Sequence, residues 1–144
     1  MTQLKTVNEV ESGQLDSGQI LQNAKVIAVI GASNKTDRFS YKASRQLQRQ
    51  GYQIIPINPN VQEILGEKAY PSLLDVPASK HIDIALIFRK SEETVSHLQE
   101  LMRRDIHITA WLASGTGSPS AELFAKQNQL CLIADRCIMI TDEE

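Results

Sequence analysis

"VIAVIGASNKTDRFSY", residues 26–41, opens with five consecutive apolar residues and turns at Gly31 into a polar stretch ending in Arg38-Phe39-Ser40-Tyr41. A short, unalternating apolar run followed by glycine and a helical pattern reads as a buried strand, a tight turn and a helix start. Four more aliphatic runs follow: Gln53–Ile57, Ile82–Phe88, Ile106–Leu112 and Leu130–Ala134. Near-continuous apolar strands of this kind suit a parallel sheet covered on both faces.

Between the runs lie helix patterns with apolar residues at three- and four-residue spacing. Ser40 is expected to cap a helix running to Gln50, ended by Gly51. Ser91 is expected to cap Glu92–Arg104, and Ser118 with Pro119 to open a helix reaching Asn128. A short helix over Ser17–Asn23 precedes the first strand. Pro59–Lys80, broken by Gly66, Pro71 and Pro77, reads as loop with one helical turn near Ser72–Asp75. Residues 1–16 hold too few apolar positions to bury and read as a flexible lead-in to a domain spanning 17–144. The expected architecture is one α/β unit, a Rossmann-like doubly wound domain on a mainly parallel five-stranded sheet.

The bulk composition narrows the partners. A net charge of −2 argues against a nucleic-acid footprint, and no apolar run approaches membrane-spanning length. Cys131 and Cys137 stand six positions apart, fitting neither a redox pair nor metal-ligand spacing. The expected setting is a reducing cytoplasm. His81, His97 and His107 have no metal-site spacing and read as surface histidines. Cys137, beside Arg136, is a candidate for thiol exchange, with a small buried residue at a strand end as the commoner role.

Residues 31–41 occupy the expected ligand mouth, because doubly wound sheets bind ligands beyond the carboxyl ends of their strands. Free backbone N–H groups and the helix dipole favour phosphate there. The dinucleotide fingerprint needs three glycines, whereas Ser33 and Thr36 stand at the second and third positions. The acid expected at the end of the second strand is replaced by Asn58, followed by Pro59. Lys35 and Arg38 in the first loop, with Arg89 and Lys90 after the third strand, point to a ligand more anionic than NAD. Coenzyme A and NADP both satisfy that balance.

The ordered motifs Gly31-Ala32-Ser33-Asn34-Lys35, Arg38-Phe39-Ser40-Tyr41, Pro56-Ile57-Asn58-Pro59, "ILGEKAYPSLLDVP" (64–77), Ile87-Phe88-Arg89, Trp111-Leu112 and "DRCIMI" (135–140) resemble the stand-alone CoA-binding domain proteins. That family is related to the nucleotide-binding domain of the succinyl-CoA synthetase α subunit. The resemblance covers residues 20–140. It implies CoA lying across the strand tips, with Gly31, Ala32 and Ser33 cradling the pyrophosphate and Lys35, Arg38 and Ser40 as polar partners. Asn58 and Pro59 would lie beside the adenosine, and Phe88 and Arg89 would line the opposite wall. After Trp111-Leu112 the family continues with glutamine and a Gly-Val pair, whereas this chain has Ala113-Ser114-Gly115-Thr116-Gly117 where pantetheine contacts would fall.

The synthetases of that group use a histidine-bearing second domain and an ATP-grasp partner, for which the 144 residues leave no room. The expected function is therefore binding of CoA or a short acyl-CoA, without catalysis by this chain alone. The rival readings are an NAD(P)-dependent oxidoreductase or nicotinamide-responsive switch, and a CoA-binding subunit that docks on a separate catalytic chain.

Overall fold

The computed structural model describes residues 17–113, 116–134 and 138. The lead-in 1–16 and Cys137 lie outside the described residues. In chain order the main elements are α1 (Ser17–Asn23), β1 (Val26–Ile30), α2 (Phe39–Arg49), β2 (Gln53–Ile57), β3 (Glu63–Ile64) and β4 (Glu67–Lys68). They continue with β5 (Ile84–Ile87), α3 (Thr94–Arg104), β6 (Thr109–Leu112), α4 (Pro119–Gln127) and β7 (Leu132–Ile133).

Five of the strands form one parallel sheet in the order β2-β1-β5-β6-β7. Alternate residues of each strand feed opposite faces, which accounts for two separate cores. Ala28, Ile30, Ala85, Ile87, Ala110 and Leu112 pack with Leu98 and Leu101 of α3 and with Ala121 and Ala125 of α4. Ile27, Val29, Ile84, Leu86 and Trp111 pack with Leu21 of α1 and Leu47 of α2. Each fully buried leucine contributes about 1.5–3 kcal/mol by leaving water. The doubly wound arrangement is thus dictated by strands that are apolar on both sides.

From β1 the chain moves outward to β2, then returns across β1 to place β5 on the other side. The order therefore reverses between β1 and β5, and the carboxyl ends of these strands form the switch point. Beyond β2, Tyr70 makes a single parallel bridge to Ile57: its N–H donates to the Pro56 carbonyl at 3.0 Å, and its carbonyl accepts from Asn58 N–H at 2.9 Å. Pro56, which has no N–H to donate, is accommodated because its polar backbone side faces this outer edge.

Several boundaries differ from the sequence reading for local reasons. The third run begins its strand at Ile84 rather than Ile82, and just ahead of it the Asp83 carboxylate accepts from the N–H groups of Lys25 at 2.9 Å and Val26 at 3.0 Å. Burial raises the Asp83 pKa, but these two donors and His81 outweigh it and hold the carboxyl below its ordinary value. Ile106–Ile108 forms a turn instead of strand, with the Asp105 carboxylate accepting from His107 N–H at 2.9 Å. The last strand is only Leu132–Ile133.

Ser118 caps α4 as expected, its hydroxyl accepting from Ala121 N–H at 3.1 Å. The other two expected caps are corrected. Arg38 stands at the N-cap of α2 with no side-chain cap, and Ser40 falls inside the first turn. Ser91–Glu93 forms a 3-10 turn, so α3 begins at Thr94 with Glu93 at its N-cap. The α2 C-terminus closes through Gly51, at φ +101°, with Tyr52 N–H donating to Leu47 O and Gly51 N–H to Gln48 O, both at 3.0 Å.

The irregular stretch 59–80 contains the expected single turn, Leu73–Asp75, and also an unexpected antiparallel pair, β3 with β4, joined by Leu65-Gly66. Arg104 at the end of α3 secures this stretch, its guanidinium donating to the carbonyls of Val76 (2.6 Å), Pro77 (2.9 Å) and Lys80 (2.7 Å).

Candidate functional site

Gly31 is the first residue past β1, its N–H donating to Ile57 O at 3.1 Å and its φ at +88°. A side chain here would overlap the Phe88 carbonyl oxygen, and its Cβ would stand 3.1 Å from Cδ of Arg89. The tips of β1 and β5 thus meet through a glycine that admits no substituent.

From Gly31 the turn is locked internally. The buried Ala32 accepts at its carbonyl from the Asn58 side-chain amide at 2.8 Å, and Asn58 Oδ1 accepts from Asn60 N–H at 2.7 Å. Asn58 is therefore a strut joining the β1 turn to the end of β2, a role that its sequence position does not reveal. The Ser33 hydroxyl accepts from Lys35 N–H at 3.0 Å, and the Lys35 carbonyl from Arg38 N–H at 3.0 Å. This winding brings the chain into α2 with no acid in the helix's first turn and no side-chain cap. Its leading N–H groups are left for another acceptor.

The remaining predicted residues divide by environment. Lys35, Arg38 and Pro59 are exposed, while Ser40 is buried. Among the described residues neither Lys35 nor Arg38 has an ion-pair partner. Phe88 is half-buried and meets Phe39 edge-to-face, with ring centroids 5.9 Å apart at 71°. Phe39, 47% exposed, is the most solvent-facing apolar residue at this rim and was not singled out by sequence pattern. Arg89 leans over Gly31 and is paired with Glu93 at 2.7 Å. That partner had a legible signal, the four-residue spacing of opposite charges. Asp37 is the acid within the turn itself.

Ala113 and Thr116 are each tied to neighbouring elements. Ala113 N–H donates to Ile87 O at 3.1 Å, and the fully buried Thr94 hydroxyl donates to Thr116 O at 2.9 Å. Ser114 and Gly115 lie outside the described residues.

Other chemistry-bearing groups sit elsewhere. His81 and His107 are exposed beside Asp83 and Asp105. His97 is not a surface histidine: its side chain is 18% exposed on α3, with a buried Nδ1 3.7 Å from Glu100. No group of three metal-ligating side chains occurs among the described residues. Among the described residues no helix is long and apolar enough to cross a membrane. A depression of about 540 Å³ lies at the opposite rim of the sheet, where Gln19, Gln22, Asp83 and His107 line it.

A family model described as the CoA binding domain matches residues 25–143. The chain belongs to the CoA-binding domain family. It is 37% identical over 122 residues to the uncharacterised protein YneT of Bacillus subtilis, covering 85% of this chain and 88% of that one. It is 29% identical over 115 residues to the α subunit of ADP-forming acetate–CoA ligase II of Pyrococcus furiosus, covering 79% of this chain and 25% of the subunit. This CoA-binding domain is thus similar in extent to YneT and matches only a quarter of the ligase subunit. A solved hypothetical protein from Pyrococcus horikoshii superposes with a TM-score of 0.81 at 28% identity, over 99% of this chain and 97% of that one. The family resemblance and the Rossmann-like α/β fold read from the sequence both hold.

Proposed function

We propose that this CoA-binding domain binds coenzyme A or a short acyl-CoA across the tips of β1, β2 and β5, and is not catalytic by itself. The observation that carries the reading is the Gly31 turn. It leads into a helix start with no capping side chain and no acid in its first turn, flanked by the exposed cations Lys35 and Arg38. Such a helix start attracts phosphate, and the cations suit a ligand with three phosphate groups. At the end of β2 an amide, Asn58, stands where an NAD-binding sheet would present a carboxylate to the ribose, and that amide is engaged in holding Ala32.

Gly31, Ala32 and Ser33 would contact the pyrophosphate, and Lys35, Arg38 and Ser40 would supply polar partners. Asn58 and Pro59 would border the adenosine, with Phe88 and Arg89 opposite. Chemistry on the thioester would then fall to a separate chain.

Titration calorimetry tests the reading. CoA is expected to bind, with dephospho-CoA weaker by about tenfold, the effect of losing one charge-assisted contact. NADPH binding tighter than CoA, or no heat from CoA, would refute it.

A further inference from the structure

Arg89 is not a free cation. One carboxylate oxygen of Glu93 accepts from Arg89 Nε at 2.9 Å and lies 2.7 Å from Nη2, so a single oxygen grips the guanidinium at two points. The grip is held from below, because the 3-10 turn fixes Glu93 through its N–H donating to Lys90 O at 2.9 Å. Glu93 stands at the N-cap of α3, yet its side chain does not cap that helix and is turned to Arg89 instead. The Arg89 stem meanwhile lies over the Gly31 turn, close enough for its Cδ to crowd any substituent there.

We propose that Glu93 is a positioning residue for the anion site, holding Arg89 neutralised over the Gly31 turn until a ligand pyrophosphate replaces the carboxylate on the guanidinium. This inference rests on the proposed CoA-binding role of the same turn. The pair suits exchange because both side chains are partly solvated, at 43% and 36% exposure, where an ion pair contributes little and is readily surrendered. Phosphate oxygens accept from guanidinium in the same bidentate geometry as a carboxylate and carry more charge on the group as a whole. The site therefore admits a ligand by swapping one anion for another, with no new cation needed.

Calorimetric titration with CoA of the wild type, Glu93→Gln, Arg89→Gln and the double variant tests this. Glu93→Gln is near-isosteric on an exposed turn and is expected to tighten CoA binding by about twofold to fivefold, the surface ion pair having been removed as a competitor. Arg89→Gln is expected to weaken binding, and in its background Glu93→Gln is expected to add nothing, since the carboxylate acts through the guanidinium. The Arg89 Nε–H resonance should move on Glu93→Gln without ligand, and in the wild type on addition of CoA. If the wild type binds CoA and Glu93→Gln matches or weakens it, or gains equally without Arg89, the positioning role is overturned while the binding function stands. A resonance indifferent to Glu93→Gln overturns it too. Absence of CoA binding by the wild type overturns both.

Discussion

Gly31→Ala is expected to destabilise the fold by about 2–5 kcal/mol, summing a left-handed backbone forced on a residue with Cβ and a collision at a packed position. The collision cannot relax cheaply, because the atom met is the backbone carbonyl oxygen of Phe88, at the end of a strand hydrogen-bonded on both sides. Moving Phe88 would also disturb its N–H, which donates to Ile30 O at 2.8 Å. Gly51→Ala is the matching control. Its φ of +101° is similarly left-handed, but nothing stands within 4 Å of the added carbon. It should lose only about 1 kcal/mol. Thermal unfolding followed by circular dichroism should place Gly31→Ala about 10 °C below the wild type and well below Gly51→Ala. Equal melting temperatures for the two variants would mean that the β1–β5 approach is not tight.

Simultaneous Lys35→Gln and Arg38→Gln is expected to weaken CoA binding by about thirtyfold at low salt, each cation contributing about 1 kcal/mol toward phosphate. The loss should shrink as ionic strength rises, because both side chains are exposed and their attraction is screened. Stability should change little, since neither side chain has an ion-pair partner among the described residues. Arg103→Gln with Lys126→Gln removes the same net charge from the last turns of α3 and α4 and controls for the overall field. That control should alter affinity by less than about twofold. An equal loss from both double variants, measured by calorimetry, would show that general charge rather than the Gly31 turn attracts the ligand.

How much was legible in the sequence followed from how local its cause was. Val26–Ile30 and Gln53–Ile57 have the bounds read from their apolar runs, because strands covered on both faces of a sheet are near-continuously apolar. The Ser118-Pro119 helix start held for the same reason, its signal being contained in adjacent residues. Boundaries differ at the entrances to β5 and β6, where the carboxylates of Asp83 and Asp105 bond to backbone N–H groups that apolar spacing does not reveal. The β3–β4 pair was missed because two-residue strands show no alternation. At the mouth, the placing of Gly31 beside Phe88 and Arg89 follows from the doubly wound order. The strut made by Asn58 and the edge-to-face contact of Phe39 with Phe88 depend on distances between segments far apart in the chain. Ser40 shows the limit most plainly: a good capping residue beside a helix start became a buried first-turn residue when the helix began two positions earlier.

The central claim is that the rim formed by β1, β2 and β5 receives CoA, and amide chemical-shift mapping during a CoA titration tests it directly. The largest shifts are predicted at Gly31, Ala32, Ser33 and Arg89, with Lys25, Asp83 and Thr109 at the opposite rim unmoved. Shifts concentrated around the depression lined by Gln19, Asp83 and His107, with Gly31 silent, would contradict the account.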